Sequence, residues 1–91
     1  MAYQLTILPT AEADLEALDA EVRARALRRI VWLREHAAEI IHHPLSNLPD
    51  DLAGLCRLRS GDWRILYWVY PDPGLVKVYR VQHRSEVYRD F

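Results

Sequence analysis

A chain of 91 residues, 51% apolar and 27% charged, fits one small globular domain and carries too many core-forming residues for a disordered segment. The net charge of −1 gives no general basic character, and the lone cysteine, Cys56, excludes an internal disulfide or a cysteine-rich metal site. Residues 1–18 lack the basic and apolar regions of a signal peptide, and no apolar run nears the roughly 20 residues that span a bilayer, so the expected compartment is the cytoplasm.

The elements follow in chain order. Residues 3–9 (YQLTILP) alternate and carry Thr and Ile, which predicts a short strand stopped by Pro9. Thr10 is placed to cap a helix with Glu12 and Asp14 in its first turn and with Ala11, Leu15 and Leu18 on one face. A break near Asp19 and Ala20 leads to a longer helix in which Val22, Ala26, Ile30, Leu33, Ala37 and Ile40 recur at spacings of three and four. Arg23, Arg25, Arg28, Arg29 and Arg34 fall mainly on its other faces, which read as solvated. His42, His43 and Pro44 mark its end.

Residues 44–54 hold two prolines, Asn47 and Gly54 and read as an irregular loop. Three strand candidates follow at residues 55–60, 63–70 and 75–83, joined by the turns Ser60-Gly61-Asp62 and Pro71-Asp72-Pro73-Gly74. Such tight turns make an antiparallel meander. Ser85 is placed to cap a last helical turn over residues 86–90. The predicted fold is therefore α+β, with residues 1–91 as one domain: an N-terminal strand and a helical hairpin packed on a mainly antiparallel four-stranded sheet (β-α-α-β-β-β), then a short C-terminal helical turn.

Charge is unevenly distributed. Residues 1–51 carry five Arg against nine acidic residues, net −4, whereas residues 52–91 carry six Arg and one Lys against four acids, net +3. Seven of the nine aromatic residues also lie in the second segment. Interleaved Arg and aromatic side chains suit phosphate contact and base stacking, although strands attract Tyr and Trp for packing alone. Eleven of the twelve cations are Arg, with Lys77 the exception; a guanidinium offers a planar fork to phosphate, while a GC-rich gene gives the same bias.

Alternation puts Arg57 and Arg59 on one face of their strand and Cys56 and Leu58 on the other. On the next strand Arg64 shares a face with Leu66, Trp68 and Tyr70, where a guanidinium needs a partner. That partner is an ion pair with Asp62, Glu86 or Asp90, or else a bound phosphate. A helical turn after Ser85 brings Arg84 and Tyr88 together at i and i+4, with His83 just before them. Imidazole, phenol and guanidinium combine proton transfer with charge stabilisation, which suits phosphodiester cleavage without a metal. Taken singly, His83 is also accounted for as a strand-end residue bonded to backbone, and Tyr88 as a ring over the core. No zinc-spaced ligand set is present, since adjacent His42 and His43 diverge by about 100° on a helix. The three glycines are isolated and form no phosphate loop. No metal or cofactor is expected.

The stretch LCRLRSGDWRILYWVY, followed after a turn by VKVYRVQHRSEVY, resembles the RelE/ParE superfamily of toxins from bacterial type II toxin–antitoxin pairs. The shared pattern is a leucine-arginine strand, a Gly-Asp-aromatic-Arg-aliphatic-x-Tyr strand and a final strand closing in HR-x-x-VY. The opening LTILPTAEADLEAL is similar too, so the resemblance spans almost the whole chain and implies the same fold order. Within the superfamily, RelE-like toxins cleave messenger RNA in the ribosomal A site and ParE-like toxins poison DNA gyrase; HRSEVYRDF looks more like the RelE branch. The resemblance implies that Arg64 contacts the scissile phosphate and that Tyr88 is general base or stacking platform. It puts His83 and Arg84 near the leaving group, and Arg57 and Arg59 where related toxins carry lysines that hold the phosphate or substrate backbone. The implied reaction is attack of a ribose 2′-OH on its own 3′ phosphate, leaving a cyclic phosphate and a free 5′-OH. The implied partners are a cognate antitoxin, the ribosome and messenger RNA, with no membrane. A ParE-like gyrase inhibitor acting by binding, or a non-toxic antitoxin-binding homologue, are the other readings.

Overall fold

The computed structural model describes residues 2–88. Strand β1 (Gln4–Ile7) leads into helices α1 (Pro9–Glu16) and α2 (Ala20–His36). A two-residue strand β2 (His43–Pro44) and a 3-10 turn (Asp50–Leu52) precede the meander of β3 (Cys56–Ser60), β4 (Trp63–Tyr70) and β5 (Leu75–His83). The sheet runs β1-β5-β4-β3-β2, with β1 parallel to β5 and the remaining pairs antiparallel. It has five strands, not the four expected, because His43 and Pro44 pair with Arg57 and Cys56 where the prolines suggested only a loop. Among the described residues no helix is long and apolar enough to cross a membrane.

Both faces of the sheet are covered. On one, Ile65, Tyr67, Val76, Val78 and Val81 pack with Ala11, Leu15, Ala26, Ile30 and Leu33 of the helices. On the other, Leu66 packs with Leu45, Leu55 and Val87, flanked by Leu48, Trp68 and Tyr79. This explains why β4 reads as a continuous apolar run: Ile65, Leu66 and Tyr67 are 0%, 0% and 1% exposed. Burial pushes the Tyr67 phenol far above its ordinary pKa, with Cys56 adding to the effect, so it stays a donor. Its hydroxyl donates to His42 Nδ1 (2.6 Å), while His42 Nε2 donates to the Ala37 carbonyl (2.8 Å).

Several element ends differ from the sequence expectation for reasons of remote bonding. The first helix begins at Pro9, whose missing N–H needs no partner there, and Leu8 is its cap residue. Thr10 is not the cap; its hydroxyl donates to the Tyr79 carbonyl at 2.6 Å. Arg23, from the first turns of α2, donates to the carbonyls of Leu15 and Leu18 at 2.8 and 2.9 Å and so closes the end of α1. The second helix stops at His36, six residues before His42. The Arg34 carbonyl accepts the Tyr3 N–H (3.1 Å) and the Ala37 carbonyl accepts the His42 ring, so two acceptors that a longer helix would use are taken. Residues 84–88 form turns instead of the expected helical turn, tied by Arg84 N–H to the Asp62 carbonyl (2.8 Å) and Glu86 N–H to the His83 carbonyl (2.9 Å). The rest of the predicted turn, Arg89 and Asp90, lies outside the described residues.

Strand β5 carries one extra residue opposite β4: Leu66 pairs with Arg80 and Tyr67 with Val78, leaving Tyr79 as a bulge. The Asp14 carboxylate of α1 meets this bulge. It accepts Arg80 Nε (2.8 Å) and Nη2 (3.1 Å) and the Val81 N–H (2.9 Å). Charge-assisted bonds of this kind contribute about 2 kcal/mol. Replacing Asp14 by Ala is expected to lower the unfolding free energy by about 2 kcal/mol in urea titrations, and Asp14→Asn, which keeps an acceptor for Val81, by about half as much.

Candidate functional site

The β3–β4 hairpin, turned at Gly61 with φ +59°, sets Arg59 directly opposite Arg64. Like charges facing each other across a ladder oppose folding, so this pairing signals a site that expects an anion. Strand β2 reaches only as far as Arg57, and a depression of about 620 Å³ lies along the edge of β3 beyond it. Its walls come from five places. Arg29 and Trp32 stand on α2; Ile40 and Ile41 follow that helix; His43 comes from β2; Arg57, Leu58, Arg59 and Arg64 come from the hairpin; and Arg84, Val87 and Tyr88 come from the turns after β5.

Five guanidiniums, those of Arg29, Arg57, Arg59, Arg64 and Arg84, thus border one cavity. Burial pushes the Arg64 pKa below its ordinary value, and the like charges of Arg59, Arg84 and Arg57 push it further, with Asp62 opposing them. Arg64 Nη1 donates to the Gly61 and Trp63 carbonyls, both at 3.0 Å, and among the described residues it forms no ion pair. Of the acids expected to neutralise it, Asp62 lies 3.8 Å from Arg84 Nε instead, with both side chains well exposed. Such a surface contact is worth little and leaves the cluster strongly positive.

Arg57, Arg59, Arg64, Arg84 and Tyr88 are brought together here. His83 is not. It pairs with Trp63 across the ladder, and its ring meets the Trp63 ring edge-on at 5.4 Å and 89°. Its Nδ1 bonds the Ser85 hydroxyl at 2.8 Å. Successive strand residues point to opposite faces, and the register puts His83 with Trp63 on the helix side while Arg84 turns into the depression. The imidazole that lines the depression is His43, which sequence reasoning treated as the end of a helix. A signal was available: the residue before a proline is pushed out of helical conformation, so His43 before Pro44 favours an extended segment. Arg29, read as part of a solvated face, and Trp32 also line the cavity. Their signal was the i, i+3 spacing on the same side of α2.

The arrangement can hold a phosphate or phosphodiester by charge and planar donors, and it offers two side chains able to exchange protons, His43 and Tyr88. Among the described residues no group of three His, Cys, Asp or Glu stands close enough to hold a metal ion.

Comparison with known proteins gives a consistent result. A family profile described as "ParE toxin of type II toxin-antitoxin system, parDE" matches residues 5–88. The chain is 29% identical over 87 residues to Toxin RelE of Mycobacterium tuberculosis, covering 96% of this chain and 87% of that one. It superposes on a chain of the RelBE2 toxin–antitoxin complex from M. tuberculosis with a TM-score of 0.76 at 27% identity, covering 93% and 94% of the two chains. A mutant of the E. coli toxin RelE in the free state gives a TM-score of 0.70 at 29% identity, covering 98% and 93%.

The repulsion among Arg57, Arg59, Arg64 and Arg84 makes a test that needs no substrate. Inorganic phosphate is expected to raise the melting temperature more than chloride of equal ionic strength, since saturation at 100 times Kd stabilises by about 2.7 kcal/mol. Arg64→Ala is expected to abolish the difference. In chloride alone, Arg59→Gln removes the like charge opposite Arg64 and is expected to leave stability unchanged or raised by about 0.5 kcal/mol.

Proposed function

The chain belongs to the ParE toxin family of type II toxin–antitoxin systems, within the RelE/ParE superfamily, and on that premise we propose that it is a RelE-like, metal-independent endoribonuclease that cleaves messenger RNA on the ribosome and so inhibits translation. The observation that supports this most is the depression that five arginines line together with Tyr88 and His43. A protein that acts only by binding needs no proton-transfer groups inside its anion site.

In the proposed reaction the ribose 2′-OH loses its proton and attacks its own 3′ phosphorus, and the P–O5′ bond breaks. A 2′,3′-cyclic phosphate and a 5′-OH result. Negative charge grows on the non-bridging oxygens, where Arg64 with Arg57 and Arg59 stabilises it more strongly than in the ground state. Tyr88 is the group assigned to the 2′-OH, whose proton it accepts as a phenolate. Arg84 neutralises the departing 5′ oxygen but stays charged throughout, because a guanidinium does not release its proton near neutrality. His43, as imidazolium, gives its proton to the departing 5′ oxygen. His83 is assigned a positioning role: packed on Trp63 and bonded to Ser85, it holds the end of the strand from which Arg84 and Tyr88 emerge.

The relative in M. tuberculosis is a toxin bound to its antitoxin, and the matching partner here is a cognate antitoxin chain that shields the basic depression. Ribosome and messenger RNA are the targets once it is removed, which places the protein in the cytoplasm. The ParE description of the matching family supports a second reading, inhibition of DNA gyrase by binding.

Inducing the chain without antitoxin and mapping transcript ends in translating cells separates the two. Codon-phased cuts are expected, falling by about 100-fold or more in Arg64→Ala, Tyr88→Phe and His43→Asn. His83→Asn is expected to lower them less than His43→Asn. Intact transcripts with trapped gyrase–DNA breaks would establish the gyrase reading instead.

A further inference from the structure

A second depression, of about 360 Å³, adjoins the first and shares Arg29, Trp32 and Arg59 with it. Arg25 and Arg28 of α2 form its outer wall, and Ser60 and Gly61 of the β3–β4 turn lie at its base. Arg25 reaches over that turn, its Nη1 lying 3.5 Å from where a Cβ at Gly61 would stand.

Three arginines crowd this side of α2. Arg25 lies three residues from Arg28 and four from Arg29, spacings at which like charges on a helix repel. Among the described residues none of the three forms an ion pair. Arg29 is also held rigidly. Its Nε donates to the Arg59 carbonyl at 2.9 Å, and its guanidinium lies 4.3 Å from the Trp32 ring centroid. Trp32 in turn stacks on His36, with centroids 4.8 Å apart and planes 20° from parallel. The His36–Trp32–Arg29 stack therefore fixes a cation at the junction of the two depressions, next to Arg59 of the phosphate site. Unneutralised, preoriented cations leading away from an anion site form a track for further anions of the same chain.

We propose that this groove binds the backbone phosphates of the single-stranded RNA that continues from the cleavage site, with Arg29 at the junction and Arg25 and Arg28 beyond it. The proposal rests on the ribonuclease reading and extends it from one phosphate to a strand. An acidic peptide is the competing occupant. The lining opposes it: among the described residues Trp32 is the only large apolar side chain there, whereas peptide docking relies on apolar anchors in pockets. Repeated charge with few apolar anchors is the footprint of a sugar-phosphate backbone.

The test uses the purified full chain and fluorescein-labelled 2′-O-methyl oligouridines of roughly 4 and roughly 12 nucleotides, read by anisotropy across a salt series. The longer oligomer is expected to bind about tenfold more tightly, with a salt slope steeper by about 1.4, the value for two further phosphates on a single strand. Arg25→Ala with Arg28→Ala, both exposed positions, is expected to erase this advantage and leave the short oligomer unaffected. Arg25→Lys with Arg28→Lys, keeping the charges, is expected to retain most of it. Equal affinity for both lengths overturns the proposal, as does a length advantage that survives in the double Ala variant. Loss of antitoxin binding in that variant with RNA binding unchanged also overturns it, in favour of the peptide. Arg64→Ala is expected to weaken both oligomers alike. If it weakens neither while the double Ala variant still loses the length advantage, the ribonuclease reading of the first site fails and the groove stands as an RNA site.

Discussion

Leu66 is wholly buried on the face of β4 turned away from the helices, and the site depends on how it is covered. Among the described residues no α-helix contributes to the cluster on that face. Its cover comes from Leu45 and Leu55, at the ends of the segment before β3, and from Val87 after β5. Each of these residues has a site residue close by in the chain. His43 is two before Leu45, Arg57 is two after Leu55, and Tyr88 follows Val87 directly. Burying a leucine-sized side chain is worth about 2 kcal/mol, and here that burial also draws two irregular segments over the open side of β3. The walls of the depression are a consequence of closing the second core.

Against that packing the arginines work at a cost. Arg59 faces Arg64 across the hairpin, Arg84 joins them from the end of β5, and Arg25, Arg28 and Arg29 crowd one side of α2. The cores and the Asp14 clamp on the β5 bulge hold these charges in place before any anion arrives. Preorganised charge of this sort needs little rearrangement when a phosphate binds, which is the condition under which electrostatic stabilisation is most effective. It also explains how a chain of net charge −1 presents a strongly basic surface: the field depends on where charges lie more than on their sum. The acids are largely elsewhere, with Glu12, Asp14 and Glu16 on α1.

The two histidines at the ends of strands show where local reasoning stops. His83 and Arg84 are neighbours in sequence, and the expected turn after Ser85 set both beside Tyr88. The chain instead leaves β5 by turns fastened to Asp62 and His83, and the two side chains part to opposite faces. His43 becomes a site residue only because a two-residue strand pairs with Arg57. A pairing so short leaves no periodic trace, and Pro44 is its only local mark.

From the sequence alone came what repeats or turns locally: the alternation of the last three strands, their tight hairpins, the helical spacing from Val22 to Leu33, and the shared face of Arg57 and Arg59. These follow from backbone geometry that each segment carries by itself. The resemblance in HRSEVY and GDWRILY likewise singled out Arg64, His83, Arg84 and Tyr88, of which His83 lies outside the depression, against Trp63. Tertiary structure decided what depends on distant partners. The stop of α2 at His36 needs Tyr3 and His42 to take its carbonyls, the bulge at Tyr79 needs Asp14, and the fifth strand needs Arg57. Trp32 and Arg29 acquire a place in the site only when α2 is laid beside the edge of β3. Periodicity assigns a side chain to a face, but the packing of that face against another element determines what it meets.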